Sequence, residues 1–205
     1  GEHDVCRTRP RGGDFLAMNY DLAAATAHLA LADATMAQLI AHVGPCRLEE
    51  RGAAEPFAAL LRAIVFQQIS TAAASTIHGR VRALFPDDTP TPSALLAMDE
   101  ETLRSAGLSR PKQRAARSLA ERVLDGTVPP ASEIVALPDD ALIDRLTQVR
   151  GIGPWTVQML LIFNLGRPDV LPTTDLGVQR GAMNAYGLDA LPSPKGFAAM
   201  GAPWK

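Results

Sequence analysis

Apolar residues recur at intervals of three and four along most of this chain, broken by prolines and glycines, and that spacing predicts a string of helices. Helical periodicity begins at Leu16. Asp33 stands where it caps a segment running through Ile40 and His42, which Gly44 and Pro45 stop. Pro56 opens a helix whose buried face is Phe57, Leu60, Leu61, Ile64 and Val65 and which the pattern carries to about Ser70. An alanine-rich helix follows, from 71 or 72 to 84. Prolines and aspartates over 85–92 make a turn, and short helices are expected over 92–98 and 101–107. Pro111 opens a longer helix through Ala115, Leu119 and Val123; after Pro129, Pro130 and Pro138 another covers 139–149. Nothing in the pattern asks for an extended sheet or a solenoid repeat, so the expected class is all-α.

Composition narrows the picture. With 205 residues, 47% hydrophobic and 20% charged, the chain has material for one or two domains and is neither disordered nor collagen-like. No apolar run reaches the roughly 18 residues of a membrane span. Residues 1–14 are polar and arginine-rich, without the apolar centre of a secretory signal, so a cytoplasmic protein with no membrane partner is expected. The net charge of −2 excludes a histone-like polycation but not an enzyme of nucleic acids, for which the placement of charge matters more than its sum. Cys6 and Cys46 cannot supply the four thiolates of an iron–sulfur cluster, and His3, His28, His42 and His78 lack zinc-ligand spacing.

The most informative segment is DRLTQVRGIGPWTVQMLLIFNL at 144–165. A helix ending near Val149, a tight Gly151-Ile152-Gly153 turn and a second helix from Pro154 make a helix–hairpin–helix pattern. Glycine lets a phosphate approach the main chain, and uncovered amides at the second helix start face such an anion. Trp155, Met159, Ile162 and Phe163 are expected to anchor that helix in the core. By itself, Gly-Ile-Gly is also an ordinary turn between packed helices. Arg104, Arg110, Lys112, Arg114 and Arg117 form a basic stretch free of acids over 103–119, Arg145 and Arg150 flank the turn, and Arg180 follows further on. These charges suit a duplex backbone or simply a solvated helical face.

In VLPTTDLGVQRG at 170–181, Asp175 precedes a helix expected near Leu176. Thr173 or Thr174 is placed to help cap it, and the uncovered amides there favour an ionised Asp175. Such a carboxylate stabilises positive charge on a sugar ring better than it donates a proton. Alone, an aspartate in this place is also just a helix cap.

FAALLRAIVFQQIS at 57–70, SAGLSRPKQRAARSLAE at 105–121, VRGIGPWTVQMLL at 149–161 and LPTTDLGVQRG at 171–181 together resemble the helix–hairpin–helix, glycine/proline-rich, aspartate superfamily of DNA base-excision glycosylases, in particular its 3-methyladenine DNA glycosylase II branch. The resemblance implies a compact two-part helical fold. Residues 1–15 would be a flexible lead-in and 16–55 N-terminal helices joining the outer part. A central helical domain would cover 56–135, and 136–205 would hold the hairpin and aspartate, packed with the N-terminal helices.

It implies Asp175 as the catalytic carboxylate and Trp155 as a wall of the damaged-base pocket, beside its core-anchoring reading; Met159 is read as core. Gln67, Gln68, Ile69, Arg150, Gly151, Ile152, Gly153 and Thr156 are the implied DNA contacts, one glutamine bridging the gap left by an extruded base, although adjacent amides there also serve as a helix cap. No cofactor is required; a monovalent cation on the backbone carbonyls of Thr147, Val149 and Ile152 is a family feature. Lyases of the wider superfamily carry a lysine where Trp155 stands, and indole forms no Schiff base. The implied activity is therefore monofunctional hydrolysis of the N-glycosidic bond of alkylated purines, especially 3-methyladenine, by a nucleoid-associated monomer acting on double-stranded DNA. Uracil, hypoxanthine or another lesion, or DNA binding without catalysis, are the alternatives.

Overall fold

A computed structural model describes residues 21–48 and 55–205, and every regular element among them is helical. The expected lead-in over 1–15, the start at Leu16, and Cys6 lie outside the described residues. Helices α1 (Leu22–Ala32) and α2 (Ala34–Val43) meet at Asp33, whose extended backbone ends one and begins the other. Its Oδ1 accepts the amides of Thr35 at 2.8 Å and Met36 at 3.0 Å, an N-cap that satisfies otherwise orphaned donors. Gly44, at φ +90°, ends α2 as the sequence predicts.

Helix α3 (Pro56–Phe66) buries Phe57, Leu60, Leu61, Ile64 and Val65. It stops at Phe66 instead of near Ser70: Gln67 is extended and Gln68 left-handed at φ +59°. The apolar run is exhausted there, and Ser70 already caps α4 (Thr71–Arg82) through the amide of Ala73. After a 3₁₀ turn at Pro86–Asp88 come α5 (Pro92–Ala97), α6 (Glu100–Ser105), α7 (Arg110–Leu124), α8 (Ala131–Ile134), α9 (Asp139–Leu146), α10 (Pro154–Phe163), α11 (Leu176–Tyr186) and α12 (Pro194–Met200), with a last 3₁₀ turn at Ala202–Trp204.

The core lies around α7, which α3 and α5 flank, with α9 and α10 packed on one another and α10 returning to α3. This packing corrects the expectation of a continuous phosphate-facing or solvated stretch over 104–117. Lys112 donates from Nζ to the carbonyl of Val65 at 2.6 Å, at the C-terminal end of α3. Arg117 donates to the carbonyls of Leu96 and Met98 at the end of α5. Helix ends present unpaired carbonyls and partial negative charge, and these cations satisfy both. Arg104 pairs with Glu101 at 2.9 Å, whereas Arg110 and Arg114 face solvent. Arg145 likewise turns inward, to the carbonyls of Thr127 at 3.0 Å and Gly126 at 2.6 Å.

The described ends of the chain meet. α1 packs against the final 3₁₀ turn and α2 against α11. Asp33 Oδ2 accepts the Tyr186 hydroxyl at 2.9 Å and the Trp204 indole N–H at 3.1 Å.

Candidate active site

The hairpin begins where α9 ends at Leu146, earlier than the expected Val149, and a tight turn carries the chain to Gly151. Gly151 has φ +79°, and a Cβ there would come within 3.2 Å of the Ala115 methyl on α7. Both conditions demand glycine. Gly153 is different: its backbone is extended and nothing lies within 4 Å of a Cβ, so its missing side chain serves only to leave the approach open. Ser118, also on α7, accepts the Arg150 amide on its Oγ at 3.1 Å.

Ile152 is 4% exposed and plugs the hairpin into the core, so its side chain does not reach a ligand. Thr156, expected among the DNA contacts, is buried as well and spends its amide on the Gly153 carbonyl at 2.9 Å. By contrast, the amides of Gly151, Gly153 and Trp155 make no hydrogen bond among the described residues. Open donors at a helix start, here opened by Pro154, are suited to an anion. On the same turn the carbonyls of Thr147 and Ile152 accept no described hydrogen bond, and that of Val149 accepts one, from Ile152 at 3.0 Å.

Helix α10 buries Thr156, Val157, Leu160 and Leu161, not the expected Trp155, Met159, Ile162 and Phe163. It is apolar on nearly every side, so periodicity could not choose its inward face. The actual choice turns Trp155, Met159, Phe163 and Asn164 into a cavity of about 1110 Å³ between α10, α3 and α4. Met159 is thus pocket lining, not core. Opposite stand Ala59, Ala63 and Phe66 of α3, with His78 and Arg82 of α4. The Arg62 guanidinium lies 3.9 Å from the Phe66 ring centre, and His78 meets the ring edge-on at 6.1 Å. Burial, then the nearby Arg62 and Arg82, hold His78 below its ordinary range and so neutral at pH 7.

Asp175 does not line this cavity but is tied to its wall by Trp155. The indole, 43% exposed, donates from Nε1 to Asp175 Oδ2 at 2.7 Å. The other oxygen, Oδ1, accepts the Val178 amide at 2.9 Å, so Asp175 itself is the N-cap of α11; neither threonine takes that place. Thr173 instead supplies a carbonyl to the Gln179 side chain at 2.8 Å. The Val178 amide, then the Trp155 indole, hold the Asp175 carboxyl below the usual carboxylate range, against a smaller opposing effect of burial. A Cβ at Gly177 would sit 3.1 Å from Oδ1, so the small residue leaves the carboxylate its room.

The glutamines of the α3–α4 turn separate. Gln67 donates from Nε2 to the Gly151 carbonyl at 2.9 Å, whereas Gln68 is exposed and Ile69 is 38% exposed beside it. The sequence points to Phe163 as a core anchor instead of pocket wall, and does not point to Trp155 as a hydrogen-bond donor, to the bed formed by Ala115 and Ser118, or to Asn164 and His78 as pocket residues. All depend on helix packing, which leaves no local signal.

A family model described as HhH-GPD superfamily base excision DNA repair protein matches residues 61–204. The chain is similar to DNA-3-methyladenine glycosylase 1 of Schizosaccharomyces pombe, 38% identical over 176 residues covering 84% of this chain and 76% of the relative. Among solved structures it is similar to the S. pombe 3-methyladenine DNA glycosylase in complex with abasic DNA (TM-score 0.76, 35% identity, 88% of this chain and 89% of that one). The DNA-3-methyladenine glycosidase of Bacillus halodurans compares similarly (TM-score 0.78, 32% identity, 93% and 85%).

Proposed function

The chain belongs to the HhH-GPD superfamily of base excision DNA repair proteins, and on that premise we propose that it is a monofunctional DNA glycosylase releasing alkylated purines such as 3-methyladenine. A duplex phosphate docks on the free amides of Gly151, Gly153 and Trp155, with exposed Arg150 alongside. Gln68, held outward by its left-handed backbone, enters the stack as the damaged nucleotide leaves it. The base rests against the Trp155 indole, whose π face attracts a cationic ring and whose wall continues into Met159 and Phe163.

Alkylation has already made the base a positively charged leaving group, so the reaction needs little proton donation. Breaking the glycosidic bond leaves positive charge on the sugar, which ionised Asp175 stabilises while orienting water toward C1′. Val178 and Trp155 each donate to one of its oxygens, with the Gly177 amide a lesser influence, and a carboxylate's roughly four lone-pair sites leave capacity for substrate. The products are free base and an abasic site. Trp155 offers no amine for Schiff-base strand cleavage. The neutral carbonyl oxygens of Thr147, Val149 and Ile152 suit a monovalent cation, which when bound would add positive charge beneath the phosphate.

The observation that carries this reading is the 2.7 Å bond from a pocket-lining indole to a carboxylate held ionised. Asp175→Asn tests it, since asparagine keeps the helix cap and changes the charge. Single-turnover release of 3-methyladenine from methylated duplex should fall by roughly 100- to 1000-fold, with duplex affinity retained and no strand cleavage by either protein. Unchanged release would remove Asp175 from the chemistry; tight binding with no release by the unaltered protein would leave only a DNA-binding role.

A further inference from the structure

Gln67 and Gln68 are neighbours with opposite circumstances. Gln67 is partly buried, and its amide reaches across the molecule to the carbonyl of Gly151 at 2.9 Å, while Gln68 is exposed. That carbonyl stands four residues before Trp155, so it is the acceptor the Trp155 amide would take if α10 continued backward. It does not take it, and the Gln67 side chain donates there instead. The occupied carbonyl thus goes with a Trp155 amide left open for an anion. Both partners rest on α7. Lys112 holds the end of α3 just before Gln67, and Ser118 holds the Arg150 amide just before Gly151.

We infer that Gln67 is a positioning residue whose amide braces the α3–α4 turn against the glycine hairpin, so that the base-stack wedge and the phosphate grip form one rigid unit. One of the two N–H groups of its amide is spent within the protein, so the brace itself needs no contact with DNA. The brace fixes how far the tip at Gln68 stands from the gripped phosphate, and so sets the register in which a nucleotide is pushed out. The inference rests on the DNA-binding reading above.

Gln67→Leu keeps the bulk and deletes the donor. Gln68→Ala removes the tip, and the double variant combines them. Affinity for an undamaged duplex and single-turnover release of 3-methyladenine from a methylated duplex are measured for each. Loss of one hydrogen bond predicts that Gln67→Leu lowers duplex affinity and base release each by about five- to tenfold. Gln68→Ala lowers release, and the double variant is no slower than the slower single variant by more than about twofold, because coupled groups are not additive. Unchanged duplex affinity in Gln67→Leu, or losses that multiply in the double variant, would overturn the brace. Should the leucine variant fail to fold, Gln67→Glu sets an oxygen against the Gly151 carbonyl at equal volume and predicts the same losses. If the unaltered protein releases no base, the glycosylase reading falls while the affinity comparison still decides on the brace.

Discussion

At the scale of single residues, Asp175 combines two roles that the sequence left as rivals. The geometry that caps α11 through Val178 is also what keeps the carboxylate ionised beside the cavity. Its position was legible because an acid before a helix start is a local pattern. Its bond to Trp155 was not, because it depends on the angle at which α10 and α11 meet. Trp155→Phe keeps the aromatic wall and deletes the donor, the second largest of the three influences lowering the Asp175 carboxyl. A hydrogen bond to a charged group accounts for roughly a tenfold fall in base release at neutral pH. The pH profile should change in a definite direction. A carboxyl held low stays ionised until pH falls below the ordinary carboxylate range, so the acid limb of the unaltered protein lies beneath that range, and in Trp155→Phe it moves upward. The linked stability follows the same sign: present above the unfolded value and lost as pH falls through the folded one.

Among elements, the hairpin and α7 behave as one piece. Gly151→Ala must both adopt a positive φ and press a methyl toward Ala115, which belongs to a helix fixed by Lys112 and Arg117 and yields little. Strain of this kind costs about 1–3 kcal/mol. The variant should melt lower and bind duplex more weakly, whereas Gly153→Ala, with open space around it, should melt like the unaltered protein; thermal denaturation and duplex titration read both. Punctuation made these elements legible: Pro56, Pro154, Gly44 and the capping aspartates fall where helices begin or end. The inward face of α10 was not, since apolar residues surround it. The basic stretch misled for a related reason. Sequence shows that Lys112 and Arg117 are charged but not that the carbonyl ends of α3 and α5 lie beside them.

Over the whole molecule, Asp33 ties the N-terminal helices to the far end of the chain through partners 153 and 171 positions away, separations no local pattern reveals. Asp21 caps α1 through the amides of Ala23 and Ala24 but receives no distant side chain among the described residues, which makes it the natural control. Asp33→Ala should therefore lower the melting temperature more than Asp21→Ala. Tyr186 reports on the same junction: burial first, then Asp33, push its hydroxyl up to about 12. A raised tyrosine contributes stability below its unfolded value near 10 that is lost as pH climbs through the folded value, so the junction should loosen in that alkaline window. One consequence concerns light. Trp155 and Trp204, both tryptophans of the sequence, each donate to a helix-capping aspartate, one at the cavity and one at the junction of the chain's ends. Intrinsic emission therefore carries two separable signals: replacing Trp204 leaves a fluorophore that senses a nucleotide entering the cavity, and replacing Trp155 leaves one that senses the ends parting, with no dye attached.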